Sequence, residues 1–77
     1  MPTSLSLFRI DPSRNMQRFY CLSLQPTLFG DVALVREWGR MGCRGRLSIS
    51  SYDGANTALN ALNKLAREKH RKGYRPG

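Results

Sequence analysis

The sequence predicts an α+β fold, a small antiparallel sheet of about four strands with one C-terminal amphipathic helix packed on it. Two observations lead to this prediction. The first two thirds of the chain alternate apolar and polar residues, whereas in the last third the apolar residues recur every three or four positions. Strands followed by a helix pack as two layers. Because 77 residues suffice for one modest core, we expect a single domain over residues 1–77.

Four segments have the composition and alternation of β-strands. Their predicted bounds are 5–10, 18–24, 32–41 and 46–50. Turn-forming residues separate the first two strands, and a glycine-rich stretch with Gly42 and Gly45 separates the last two. This stretch, with Arg44 inside it, fits a hairpin turn better than a backbone nest for a phosphate. Because the connections are short, neighbouring strands are expected to be antiparallel.

The helix is the last predicted element. Its apolar stripe consists of Ala55, Ala58, Leu59, Leu62, Leu65 and Ala66. Ser51 or Asp53 is expected to cap its N-terminus by accepting backbone N–H groups. Gly73 is expected to end it in the left-handed conformation that glycine adopts easily.

Charge indicates the class of partner. Thirteen Lys and Arg against five Asp and Glu give a net charge of +8 and a pI of about 10.6. Such a balance favours polyanions, with DNA or RNA preferred here. A basic surface without a specific partner is the alternative.

Because no apolar run approaches the ~18 residues of a membrane span and no leader pattern is present, we expect a cytoplasmic protein with no membrane partner, nucleoid-associated if bacterial.

The residues that carry catalysis or bind metal are sparse. Cys21, Cys43 and His70 are the plausible zinc ligands, and no Cys-x-x-Cys spacing occurs. Two cysteines are too few for a disulfide scaffold of this size. His70 lies among cations, and no paired carboxylates or activated nucleophile are evident. We therefore expect no enzymatic activity, no cofactor and no metal.

The third strand contains the most informative side chains. Residues two apart share a face of a strand, so Arg36, Trp38 and Arg40 project together. An indole between two guanidinium groups suits stacking on a sugar or base beside neutralised phosphates. Gly39 is expected to leave the backbone uncovered, so that a ligand approaches closely. A core position for Trp38 is the alternative, but its charged neighbours favour an outward, partly exposed side chain.

These residues form part of a longer pattern. The run reads Gly30-Asp31-x-x-Leu34-x-Arg36-x-Trp38-Gly39-Arg40-x-Gly42. It is preceded by Asn15-x-x-Arg18-Phe19-Tyr20 and followed by Lys69-x-x-Lys72-Gly73-Tyr74. The pattern resembles the signature of WGR domains, named for the central Trp-Gly-Arg, and the resemblance covers about residues 12–75.

The resemblance implies an antiparallel sheet with a helix against it. WGR domains occur in DNA-dependent poly(ADP-ribose) polymerases, where they help recognise DNA ends and breaks, and in bacterial proteins. By this resemblance Trp38 stacks on the sugar of a terminal nucleotide, Arg40 lies between DNA and a neighbouring domain, and Asn15 approaches DNA. The basic residues expected to contact phosphates are Arg18, Arg36, Arg40, Arg44, Arg46, Lys64, Lys69 and Lys72.

Two hypotheses about function follow. The first is a monomeric, non-catalytic module that binds nucleic acid, DNA in preference to RNA, at ends, nicks or junctions. The second is a protein-interaction module whose basic face docks an acidic partner or a neighbouring domain.

Overall fold

One antiparallel sheet and one helix account for residues 4–76, which are the residues that the structure, a computed structural model, describes. The elements are β1 (Ser4–Asp11), a 3-10 turn (Pro12–Arg14), β2 (Met16–Pro26), β3 (Val32–Arg40), β4 (Arg46–Tyr52), α1 (Ala55–Arg71) and β5 (Arg75–Pro76). The strand order across the sheet is β4-β3-β2-β1-β5. This confirms the predicted α+β class.

The four predicted strands and the helix are all present, and the differences lie at their ends. β1 and β2 continue to the pair Asp11↔Met16, because a tight turn reverses the chain at once. In that turn Asp11 accepts hydrogen bonds from the Ser13 backbone and hydroxyl at 3.2 and 2.7 Å, and Asn15 adopts a φ of +51°. The fifth strand has only two residues, too few to show an alternation in the sequence.

The core lies between α1 and one face of the sheet. Its buried cluster consists of Leu7, Tyr20, Leu22, Leu34, Leu62 and Tyr74. Leu22 and Leu34 are each 1% exposed, and full burial of such a side chain contributes about 1.5–3 kcal/mol. On the helix, Ala58 and Leu62 face this cluster, as the apolar stripe predicts.

The predicted capping of the helix N-terminus is wrong. The N-cap is Gly54, and no side chain caps it. Ser51 still belongs to β4 and Asp53 lies in the bend that follows it, while Gly54 is extended with φ −155°. At the other end the prediction is confirmed, because Gly73 has a φ of +100° just after α1.

The second face of the sheet, called here the open face, has no element packed on it within residues 4–76. Ile10, Leu47 and Ile49 on this face are 60%, 59% and 61% exposed.

Cys21 and Cys43 are free thiols. In the part of the chain that is described, no helix has the length and apolar character needed to cross a membrane.

The molecule is elongated, with extents of 45 × 24 × 17 Å. The 11 residues of β2 span about 36 Å at about 3.3 Å each, so the strands run along the long axis. The β2–β3 connection therefore lies at one end of the molecule, here called the loop end. The β1–β2 and β3–β4 turns lie at the other end.

Candidate nucleic-acid interface

The register of β3 places its functional side chains on the helix-covered face. Trp38 pairs with Tyr20 on β2, which is 3% exposed in the core, and with Arg46 on β4. Arg36, Trp38 and Arg40 do project together, as predicted, but on the same side as α1. The helix starts after β4 at the loop end and finishes near Tyr20, so it leaves the opposite end of this face uncovered.

Trp38 lies where the helix cover ends. Its ring centroid is 6.2 Å from that of Tyr20, with the planes tilted by 47°. The Arg36 guanidinium lies 5.6 Å from the indole centroid and also donates a hydrogen bond to the Ser48 hydroxyl at 3.1 Å. The indole is half-buried. It packs against the core cluster on the helix-covered face, so the predicted outward orientation is wrong, whereas the predicted partial exposure agrees with the structure.

Lys69 brings a second cation to this cluster, over the rings of Tyr20 and Tyr74. Its ammonium lies 4.5 Å from the Tyr20 ring centroid and 5.5 Å from that of Tyr74. Burial lowers the pKa of Lys69, and the positive charges of Lys72 and Arg36 lower it further, against an opposing effect of Glu68. The position therefore favours an added negative charge.

A cavity of about 270 Å³ lies between these groups, lined by Tyr20, Arg36, Trp38 and Lys69. Its walls are two aromatic rings and two cationic side chains. Aromatic faces suit a sugar or base, and the cations suit a phosphate. The cavity thus has the chemistry of a nucleotide site.

Three arginines form a row next to this cavity. Arg9, Arg18 and Arg40 are directly paired across β1, β2 and β3, on the same face as Trp38. None of them has a carboxylate within 4.0 Å among residues 4–76; the ion pair found there joins Arg14 to Asp11 at 3.7 Å. Like charges directly opposite one another destabilise a sheet. We call these three residues the arginine row.

Arg9 is the member of the row that sequence reasoning missed. Its side chain lies against Gly73, where a Cβ would be 3.2 Å from Arg9 Nε. In the sequence Arg9 lies near the end of the first strand and belongs to no recognisable motif. Only the pairing register between β1 and β2 places it beside Arg18 and Arg40.

The structure brings Asn15 to the arginine row. A cavity of about 320 Å³ is lined by Arg14, Asn15, Met16, Gln17, Arg18 and Arg40. It borders the Trp38 cavity, because Arg18 and Arg40 lie two residues from Tyr20 and Trp38 on the same strands. Asn15 and Arg18, which are close in sequence, thus line one surface with Arg40, which is more than 20 residues away along the chain.

The remaining predicted residues lie at different distances from this surface. Arg46 pairs with Trp38 and adjoins it. Arg44 is exposed in the turn before β4, and Lys72 is exposed just after α1. Lys64 lines a separate groove between α1 and β4, which it shares with Arg36.

Gly39 does not have the geometry that the sequence suggested. It pairs with Phe19 and so lies toward the open face, away from the Trp38 cavity. A Cβ at this position would be 2.9 Å from the Gly45 Cα and 3.4 Å from the Phe19 ring. The space beside Gly39 is therefore filled by the protein itself, which lets the β3–β4 hairpin close against Phe19.

Charge is segregated along the molecule. All 13 Lys and Arg lie outside residues 19–35 and 47–63, whereas Asp31 and Asp53 lie inside these ranges. Both acidic residues are at the loop end, next to the pair Val32↔Tyr52. The positive charge is thus concentrated on the rest of the molecule, which contains the arginine row.

Comparison with known proteins identifies what this chain resembles. Residues 3–77 match the family model described as the WGR domain. The uncharacterized protein y4dW of Sinorhizobium fredii (strain NBRC 101917 / NGR234) is 43% identical over 75 residues, which are 97% of this chain and 37% of that protein. The chain thus spans little more than a third of this relative. No solved structure matches the present chain.

Proposed function

Because the chain belongs to the WGR domain family, we propose that it is a non-catalytic nucleic-acid-binding module that recognises DNA ends, nicks or junctions. One observation carries this proposal. The half-buried Trp38 adjoins three directly paired arginines that lack carboxylate partners within residues 4–76. An indole beside uncompensated guanidinium groups suits a nucleotide with adjacent phosphates.

The arginine row supplies the phosphate contacts in this proposal. Neighbouring strands are about 4.8 Å apart, so the three side chains start from backbone positions spread over about 10 Å. Guanidinium groups donate to phosphate oxygens in a bidentate manner. A bound phosphate backbone also removes the mutual repulsion of Arg9, Arg18 and Arg40, so that the groups that destabilise the free protein stabilise the complex.

Trp38 supplies the preference for ends. In a continuous duplex each base face is covered by its neighbours, whereas the last nucleotide at an end, nick or junction exposes a base and a sugar. The exposed part of the indole is able to contact such a nucleotide while the buried part holds it against Tyr20. Stacking of this kind contributes about 1–3 kcal/mol. Binding at ends is therefore expected to exceed binding along a duplex.

Fluorescence of Trp38, the single tryptophan, tests the proposal. Blunt duplex, nicked duplex, single-stranded DNA and matched RNA are titrated at low and at moderate salt. If about four to six phosphates are neutralised, log affinity falls with log salt with a slope of roughly −4 to −5. Strong quenching with a preference for ends or nicks that persists at moderate salt supports the proposal.

The opposite result favours the second candidate function. Weak binding that is equal for every polyanion and disappears at moderate salt would refute recognition of ends. The uncompensated cations would then fit an acidic protein partner on the same surface.

A further inference from the structure

The β2–β3 connection exposes two large apolar side chains. Leu28 is 99% exposed and Phe29 is 90% exposed. The connection is nevertheless an ordered turn: the Thr27 N–H donates to the Asp31 carbonyl at 2.9 Å and the Phe29 N–H donates to the Thr27 hydroxyl at 3.2 Å. The turn therefore holds both side chains out from the body of the protein. We call this pair the apolar tip.

The apolar tip is remote from the proposed nucleic-acid surface. Along β2, Arg18 and Pro26 are eight residues apart, or about 26 Å at about 3.3 Å per residue. The loop end carries Asp31 and Asp53 and none of the 13 Lys and Arg. This negative charge disfavours nucleic acid and anionic membranes as ligands of the tip. The ligand that fits the tip is a protein surface that has an apolar depression with positive charge beside it.

The chain itself has such a surface. A recess of about 420 Å³ lies near the opposite end of the sheet, and its lining is mostly apolar. The residues around it are Phe8, Ile10, Met41, Gly73, Arg75 and Pro76. Its volume lies in the range of about 300–1,000 Å³ found for ligand pockets. Arg75 adds positive charge at a site that is otherwise apolar.

We propose that the apolar tip of one copy binds in this recess of a second copy. The contact joins apolar to apolar surface, and it brings the acidic loop end of one molecule to the basic end of the next. Asp31 then approaches Arg75. Tip and recess lie near opposite ends of the 45 Å molecule, so no copy fills its own recess. The inference is independent of the proposed nucleic-acid function.

A tip-in-recess contact is small, and small interfaces are typical of weak, transient association. The protein is therefore expected to be monomeric when dilute, as predicted from the sequence, and to associate at high concentration. Repulsion between copies of net charge +8 opposes association. Salt screens both this repulsion and the attraction between the acidic loop end and the basic end, so association is expected to depend much less on salt than binding to nucleic acid does.

Sedimentation velocity over a range of concentrations, without nucleic acid, measures the association. The double variant Leu28→Ser/Phe29→Ser removes the tip without touching the core. The double variant Ile10→Ser/Met41→Ser removes the apolar lining of the recess. Ile49→Ser is the matched control, because Ile49 is 61% exposed on the same open face but does not line the recess.

Each double variant is expected to associate at least about thirtyfold more weakly than the unchanged chain, in keeping with loss of a central apolar anchor. The Ile49→Ser control is expected to associate normally. An equimolar mixture of the two double variants is the decisive sample, because one retains the recess and the other retains the tip. The mixture is expected to form one-to-one dimers that neither variant forms alone.

Three results would overturn the proposal. The first is that the unchanged chain stays monomeric at all accessible concentrations. The second is that the mixture of the two double variants forms no dimers. The third is that Ile49→Ser abolishes association as completely as the double variants do. The last result would assign the contact to the whole open face instead of the recess.

Discussion

Arg18 on β2 and Arg40 on β3 are directly opposite each other on one face of the sheet. Arg9 extends the same row on β1. Like charges directly opposite one another destabilise a sheet, in which other cross-strand pairs contribute roughly 0.2–1 kcal/mol each. A row of three with no carboxylate within 4.0 Å in the described chain is therefore unfavourable for folding. The proposed phosphate ligand gives this arrangement a physical reason.

Arg18→Gln is expected to raise stability and lower affinity together. Removing the central charge relieves both cross-strand repulsions, so the free energy of unfolding should increase by roughly 0.4–2 kcal/mol if each is of the size of other cross-strand pairs. Loss of one phosphate contact should weaken binding to DNA and make the salt slope shallower by about 1. Urea unfolding and fluorescence titration measure the two effects.

Arg67→Gln is the matched control for this variant. It changes the net charge equally, but Arg67 lies on the helix beside Asn60 and Asn63, away from the arginine row. Its effect on affinity should be clearly smaller than that of Arg18→Gln. Equal losses in the two variants would show that affinity depends on total charge and not on the arginine row.

Trp38→Leu should separate the two roles of the indole. Leucine retains apolar contact with Tyr20 but has no aromatic plane, so the expected loss of stability is about 1–2 kcal/mol. If Trp38 stacks on a terminal nucleotide, the free energy of binding to DNA ends should separately weaken by ~1–3 kcal/mol. This is measured under conditions where the variant is fully folded. Anisotropy of a labelled blunt duplex reports the affinity, and an unchanged affinity would contradict the stacking role.

The sequence predicted those parts of the structure that depend on local pattern. The period-two and helical repeats placed the strands and α1, and they showed that Arg36, Trp38 and Arg40 share a face. The repeats did not show whether these side chains lie on the helix-covered face or on the open face, because β3 has apolar side chains on both. The pairing of Trp38 with the buried Tyr20 decides this.

Long-range register decided the rest of the candidate site. Arg9 entered it only through pairing with Arg18, and no spacing in the sequence contains that information. Gly39 was misinterpreted for the same reason, since its neighbours Phe19 and Gly45 are brought close by the fold. Local patterns therefore predicted most members of the candidate site, and strand pairing determined which of them lie together.

Gly45→Ala should destabilise the β3–β4 hairpin. A Cβ at Gly45 would lie 2.6 Å from the Trp38 carbonyl oxygen and 2.7 Å from the Phe19 ring, so strands or ring must shift. Overpacking of this kind costs about 1–3 kcal/mol, which urea unfolding followed by circular dichroism would detect. The unchanged chain is the comparison, because the other glycines of the described turns and cap are conformationally special themselves. A Gly45→Ala midpoint no lower than that of the unchanged chain would contradict the close contact.

The lowered pKa of Lys69 predicts how stability and binding change in alkaline solution. Burial, then Lys72 and Arg36, disfavour the charged form of the folded protein. The unfolded chain therefore binds more protons in the interval below the ordinary lysine pKa. Consequently the cost of charging Lys69 is fully present at neutral pH, and it is relieved as pH rises through that interval.

Affinity for DNA should change with pH in the opposite direction to stability. A phosphate beside the ammonium stabilises the charged form and raises the pKa of Lys69, so the complex holds more protons than the free protein. Affinity for DNA should therefore fall as pH rises toward the ordinary lysine pKa, earlier than an unperturbed lysine would cause. Lys69→Arg stays charged throughout this range, and its affinity should fall less steeply. Parallel anisotropy titrations of the two proteins measure the difference, and identical pH profiles would exclude Lys69 from the phosphate contacts.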